Sequence, residues 1–161
     1  MNIKILHQED WLEWKNLRLE ALYKNPEAFG SSYEEEYNLP DNEFKKSLKK
    51  NKVFGAFISN QLVGCAGFFI HKLIKMQHRG VLFGMYVKSE NRNFHICDEL
   101  VKTVQAYAKD HVSQIHLTVV KDNLPALKLY EKHGFKIYGT EPCSLKISDQ
   151  SYDEHLMVLT F

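Results

Sequence analysis

Two stretches of the chain carry residues whose types and spacing could do chemistry. The first runs from Val81 to Lys109 (VLFGMYVKSENRNFHICDELVKTVQAYAK). Val81 to Val87 is short and apolar and is bounded by Gly80 and by Lys88-Ser89-Glu90-Asn91, the pattern of a buried strand. From Ile96 the apolar residues Ile96, Leu100, Val101, Val104, Tyr107 and Ala108 fall at helical spacing. A helix that begins where a buried strand ends turns its first unpartnered N–H groups toward the sheet edge, and such a cradle takes an anion, phosphate above all. The second stretch is Tyr33-Glu34-Glu35-Glu36-Tyr37. Adjacent carboxylates between tyrosines could attract a cationic amine and take its proton, although the same pattern fits a solvated helix face.

Length and composition narrow the classes. The chain has 161 residues, 44% hydrophobic and 25% charged, which suits one domain over residues 1–161 with a buried core. A net charge of +1 argues against nucleic acid or an anionic membrane as partner. No apolar run approaches the roughly 18 residues that span a bilayer, and MNIKILHQEDW lacks the apolar core of a signal peptide. Cys65, Cys97 and Cys143 are odd in number and far apart, suggesting neither a disulfide framework nor a zinc site, and the histidines show no ligand spacing. The expected setting is the cytoplasm, with no metal.

The elements that must position these residues follow from the rest of the pattern. Asn2 to Leu6 reads as a short strand, and Asp10 as the cap of a helix with Trp11, Trp14, Leu17, Ala21 and Leu22 on its core face. Asn25-Pro26 ends that helix, and Pro40-Asp41 can start another, followed by lysines on a solvated face. Val53–Ile58 and Leu62–Ile70 form a hairpin across Ser59-Asn60-Gln61, and Val81–Val87 returns as a third antiparallel strand. After the Ile96 helix, Ile115–Val120 is a strand, so the crossover makes a parallel pair. Asn123 and Pro125 open a helix that Gly134 closes. Phe135–Tyr138 and Leu156–Phe161 are the last strands, with Ser144–Ile147 a shorter piece between them. The sum is a mixed α/β sheet with helices on both faces.

Within this order, Asn123-x-x-Ala126-x-x-Leu129-Tyr130-x-x-x-Gly134-Phe135 resembles the GCN5-related N-acetyltransferase (GNAT) family. Met85-Tyr86-Val87 is similar to that family's fourth strand, and the resemblance covers nearly the whole chain. It implies a GNAT-like mixed sheet of about six to seven strands, antiparallel in its N-terminal part and parallel at its centre, with about four helices. It also implies acetyl transfer from acetyl-CoA, as co-substrate, to a primary amine by direct attack. Tyr130 matches the tyrosine that protonates the leaving thiolate, a step a phenol beside sulfur can perform. Backbone groups near Met85, Tyr86 and Val87 are implied to hold the acetyl carbonyl and the pantetheine arm. Asn123 is implied to place that arm or the acceptor helix. The pyrophosphate loop corresponds to Arg92, Asn93, Phe94, His95, Ile96 and Cys97. The acceptor is implied to be a small-molecule or protein amine, and a homodimer is compatible with the resemblance.

The loop departs from the family's Arg/Gln-x-x-Gly-x-Gly/Ala pattern. Arg92 and Ile96 fit, but Asn93, His95 and Cys97 stand where small residues are usual, because phosphate oxygens approach the backbone closely there. The His95 imidazole is expected either to fill the phosphate's volume or to turn outward. Asp98 and Glu99 are expected to repel a bound anion while favouring the helix dipole. Three readings follow: an active acetyltransferase with a reshaped loop, a GNAT-fold binding or regulatory protein with a degenerate loop and little or no catalysis, and a transferase for another acyl-CoA. The general base stays open among Glu34, Glu35, a histidine such as His78 and a held water. Glu34 or Glu35 is favoured, since the resemblance puts the segment after the first helix near the acceptor.

Overall fold

The computed structural model describes residues 1–92 and 95–161 together with their side chains. Its strands are β1 (Asn2–Ile5), β2 (Lys52–Ile58), β3 (Gln61–Ile70), β4 (Arg79–Val87), β5 (Gln114–Val120), β6 (Lys136–Ile147) and β7 (Gln150–Thr160). They form a single sheet in the order β1-β2-β3-β4-β5-β7-β6, in which only β4 and β5 run parallel. The helices are α1 (Trp11–Lys24), the short α2 (Tyr33–Tyr37), α3 (Asp41–Lys50), α4 (Ile96–Lys109) and α5 (Leu124–Lys132).

Local sequence accounts for most of these boundaries. Ser59 and Asn60 both adopt positive φ (48° and 63°), which gives the two-residue turn whose twist matches the β2–β3 hairpin. The apolar face of α4 buries Ile96, Leu100, Val101, Val104 and Ala108 in a cluster with Phe68, Ile115 and Leu117 of the sheet. On the opposite face, Trp14, Leu17 and Ala21 of α1 pack with Phe44 and Leu48 of α3 against Val53, Cys65 and Tyr86. Two expectations change. Asp10 does not cap α1: its Oδ2 accepts from the His7 N–H at 2.8 Å, closing the preceding 3-10 turn. The separate pieces around Ser144–Ile147 and Leu156–Phe161 belong to one long β6–β7 hairpin. Its pairing shifts between Ile137 and Gly139 and again between Glu141 and Leu145, which breaks the alternation that marks a strand in sequence.

The feature that positions the site is a bulge in β4. Pairing with β3 jumps from Gly67↔Phe83 to Cys65↔Tyr86, so β4 carries one extra residue there. Gly84 occupies the bulge at φ +60°, a left-handed conformation that glycine adopts without strain. The buried Cys65 thiol donates to the Gly84 carbonyl at 3.6 Å. On the other edge, the β4–β5 pairing ends at Val81↔His116, and the two strands part beyond it.

Candidate active site

The parting of β4 and β5 opens a cavity of about 630 Å³, walled by Met85 and Val87 of β4, Val119 and Val120 of β5, and Ala126 and Tyr130 of α5, with Arg92 and Cys97 at one end. The Lys88 N–H donates to the Val63 carbonyl of β3 at 2.9 Å. Backbone groups alternate sides along a strand, so those of Val87 and Met85 face away from β3 and into the gap. The Val87 carbonyl is met there by Arg92 Nε at 3.0 Å. Buried backbone N–H groups need partners, and β5 no longer supplies them at this level. The gap therefore presents an unpaired strand edge.

Tyr130 is held across the gap by local capping at both ends of α5. Asn123 Oδ1 accepts from the Ala126 N–H at 3.3 Å, and Gly134 leaves the helix at φ +88°. The Tyr130 ring packs edge-on to Phe135, with centroids 5.7 Å apart, and only 6% of the residue is exposed. Burial pushes its phenol well above the ordinary value, and the nearby Cys97 acts in the same direction. The hydroxyl thus keeps its proton through neutral and mildly alkaline pH.

Of the two arrangements expected for the glycine-free loop, the structure adopts the one with the imidazole turned outward. His95 takes the left-handed conformation itself, at φ 55° and ψ 21°, as the residue preceding α4. Histidine visits that region more readily than most side chains do. Its side chain is 85% exposed and turned outward, so the imidazole does not fill the gap. Ile96 is wholly buried beneath it. Arg92 ties the end of β4 to the end of α1 through Asn25 Oδ1 at 3.3 Å, with its guanidinium 5.8 Å from the Tyr86 ring centre. Asp98 and Glu99, expected to repel a bound anion, each carry a cationic partner. Asp98 Oδ1 receives Lys132 Nζ at 2.7 Å and His133 Nε2 at 2.9 Å, and Glu99 pairs with Lys102 at 2.8 Å. The Lys132 bond above all holds the Asp98 carboxyl down at about 2. Asn93 and Phe94 lie outside the described residues.

Other expected site residues fall elsewhere. The Tyr86 hydroxyl turns to the opposite face and donates to Glu20 Oε1 at 3.0 Å; burial, then that bond, raises its pKa to about 12. Glu34 and Glu35 are not brought to the gap. Glu35 Oε2 accepts from the Ser32 N–H and hydroxyl, forming a capping box that lowers its pKa, and Glu34 faces solvent. Glu36 is the half-buried member of the triplet, and it is clamped by Arg18 at 2.8 Å. His78 is exposed, its carbonyl accepting from Ser113 and Gln114.

A second cavity of about 430 Å³ adjoins the first through Phe29, Leu82, Phe83, Gly84, Leu117 and Thr118, and adds Arg18, Arg79, His116, Tyr138 and Glu154. Arg79, His116 and Glu154 were invisible to local motif reading because β4, β5 and β7 bring them together from distant positions. Gly84 alone had a local signal, a glycine inside an apolar strand. Among the described residues, no cluster of His, Cys, Asp and Glu could hold a metal ion, and no helix is long and apolar enough to cross a membrane.

A mixed sheet that parts at its single parallel pair, with a bulged strand, a helix start and a buried tyrosine around the gap, defines an N-acetyltransferase-like α/β fold. The model of the acetyltransferase (GNAT) family matches residues 9–135, and the chain belongs to that family. It is 38% identical over 60 residues to L-amino acid N-acetyltransferase AaaT of Escherichia coli (strain K12), a match covering 36% of this chain and 37% of that relative's length. A GNAT-family acetyltransferase from Streptococcus pneumoniae superposes with a TM-score of 0.87 at 22% identity, covering 99% of this chain and 98% of that one. The yncA structure from Salmonella typhimurium, solved with its cofactor acetyl-CoA, also gives 0.87, at 12% identity over 99% and 93% of the two chains.

Proposed function

We propose that the protein transfers an acetyl group from acetyl-CoA to a primary amine by direct attack, with Tyr130 as general acid. The observation that carries this reading is the gap itself, in which the inward-facing backbone edge at Met85 and Val87 lies opposite the Tyr130 side chain. Acetyl-CoA supplies a thioester carbonyl reactive toward amines. The Met85 N–H donates to the carbonyl oxygen as it gains charge, and the Val87 N–H, one strand repeat further along, holds the pantetheine arm; neither needs reorganisation because the strand holds them. The Tyr130 hydroxyl gives its proton to the departing sulfur, and burial keeps that proton on the phenol until the thiolate forms. Arg92, Cys97 and the first turn of α4 form the phosphate end, where Lys132 and Lys102 offset the charges of Asp98 and Glu99.

The amine enters through the adjoining cavity, where Glu154 is the carboxylate in the wall. It replaces Glu34 and Glu35 as the group expected to receive the ammonium and guide its proton away. The regulatory reading loses its main support, because the His95 ring stands outside the gap. The test is acetyl transfer to a panel of primary amines, followed by thiol release. Thiol release that depends on added amine supports the reading, and its absence at millimolar acetyl-CoA with every amine defeats it.

A further inference from the structure

The acceptor cavity holds a cation without a counter-charge. Arg79 begins β4, and its Nη2 lies 3.4 Å from His116 Nδ1. Among the described residues no carboxylate oxygen comes within 4.0 Å of its guanidinium, and its buried Nε has no hydrogen-bond partner. The other two arginines are engaged, Arg18 with Glu36 and Arg92 with Val87 and Asn25. His116 supplies no anion. Its Nε2 sits 3.1 Å from Gln114 Oε1, so the ring proton belongs on Nε2, and Nδ1 accepts from Arg79 or from the Tyr138 hydroxyl at 3.3 Å. A half-buried guanidinium that meets only a neutral imidazole and no anion is costly, and its planar fork matches a carboxylate.

The opposite charge stands at the other end of the same cavity. His116 and Val120 are four residues apart on β5 and point to the same face, and Glu154 pairs with Val120. At about 3.3 Å per residue the His116 and Val120 positions, beside which the guanidinium and the Glu154 side chain sit, stand roughly 13 Å apart along the strand. Allowing about 3 Å for a contact at each end leaves roughly 7 Å for the ligand. The amine and carboxylate of an α-amino acid are only about 3 Å apart and cannot bridge that span.

We propose that the acceptor is a small-molecule ω-amino carboxylate, its amine toward Glu154 and the gap, its carboxylate on Arg79. This deepens and rests on the acetyl-transfer reading. Arg79 is then the residue that selects the acceptor, acting at the end remote from the reacting atoms.

The test compares 6-aminohexanoate with hexylamine, which differ only in the carboxylate, and adds glycine as the short zwitterion. In the wild type, kcat/KM is expected to favour 6-aminohexanoate over hexylamine by about 10- to 100-fold, the effect of one charge-assisted pair. Arg79→Met should bring that ratio close to one, and Arg79→Lys, which keeps the charge without the fork, should give an intermediate ratio. Calorimetry of 6-aminohexanoate and hexylamine binding, run without acetyl-CoA, reads the carboxylate preference independently of turnover. A carboxylate preference in binding that disappears in Arg79→Met upholds the site even if no amine is acetylated, in which case the transfer reading fails alone. A wild type that treats the two amines alike, prefers glycine, or keeps its preference after Arg79→Met and Arg79→Lys overturns the proposal.

Discussion

Lys132 Nζ lies 2.7 Å from Asp98 Oδ1, joining the last turn of α5 to the first turn of α4. The contact offsets the charge of a carboxylate at the start of α4, the helix proposed to take the phosphates, and it fixes α5, which carries Tyr130, against α4. Lys132→Ala should therefore weaken acetyl-CoA binding severalfold, and adding Asp98→Asn should restore it. Calorimetric Kd values for the two single variants and the double variant measure this coupling directly.

The same pair makes a pH prediction. Folding lowers the Asp98 pKa from an ordinary 3.8 to about 2. A depressed carboxyl stabilises the fold fully above its unfolded value, and that contribution is lost as pH falls from about 4 toward 2. Over that window the wild type should lose more stability than Asp98→Asn in urea unfolding. Parallel loss in both proteins would remove Asp98 from the account.

Tyr130→Phe keeps the packing against Phe135 and removes the proton donor. We expect kcat to fall by about 100-fold with acetyl-CoA affinity nearly unchanged. Because burial raises the phenol above its ordinary 10, the wild-type rate should show no descending limb from this group up to that pH. Steady-state rates from pH 6 to 10 check both statements.

Gly84 tests the bulge. Its φ of +60° strains any residue with a Cβ, and that carbon would also stand 3.3 Å from Arg18 Nη1. Gly84→Ala should cost about 1–2 kcal/mol in urea unfolding. It should also lower kcat, because the N–H groups after the bulge shift.

How much of this was legible beforehand differs by element. The Ser59-Asn60 turn, the α4 stripe and the Asn123-to-Gly134 frame of α5 are set by neighbours in sequence, and all appear where local chemistry puts them. The β6–β7 hairpin was broken into pieces because its bulges interrupt the alternation of side chains. The Glu34-Glu35-Glu36 run drew attention by charge, yet a capping box and the Arg18 clamp account for two of its members. Arg79, His116 and Glu154 come from three strands, and only the folded sheet makes them neighbours. His95 was ambiguous because sequence shows the missing glycine but not which way the ring turns.

The imidazole's outward position makes its own prediction. His95→Gly exchanges left-handed strain for glycine's greater freedom in the unfolded chain and removes nothing from the gap. Its acetyl-CoA Kd should stay within about threefold of the wild type. A large gain in affinity would mean that the native loop obstructs the phosphates.

Calorimetric titration of the wild-type protein with acetyl-CoA, with CoA alongside, tests the central claim most directly. The gap between β4 and β5, the neutralised start of α4 and the outward His95 together predict binding with a micromolar Kd, seen with both ligands. No heat of binding at millimolar acetyl-CoA would contradict the account and leave the fold without its co-substrate.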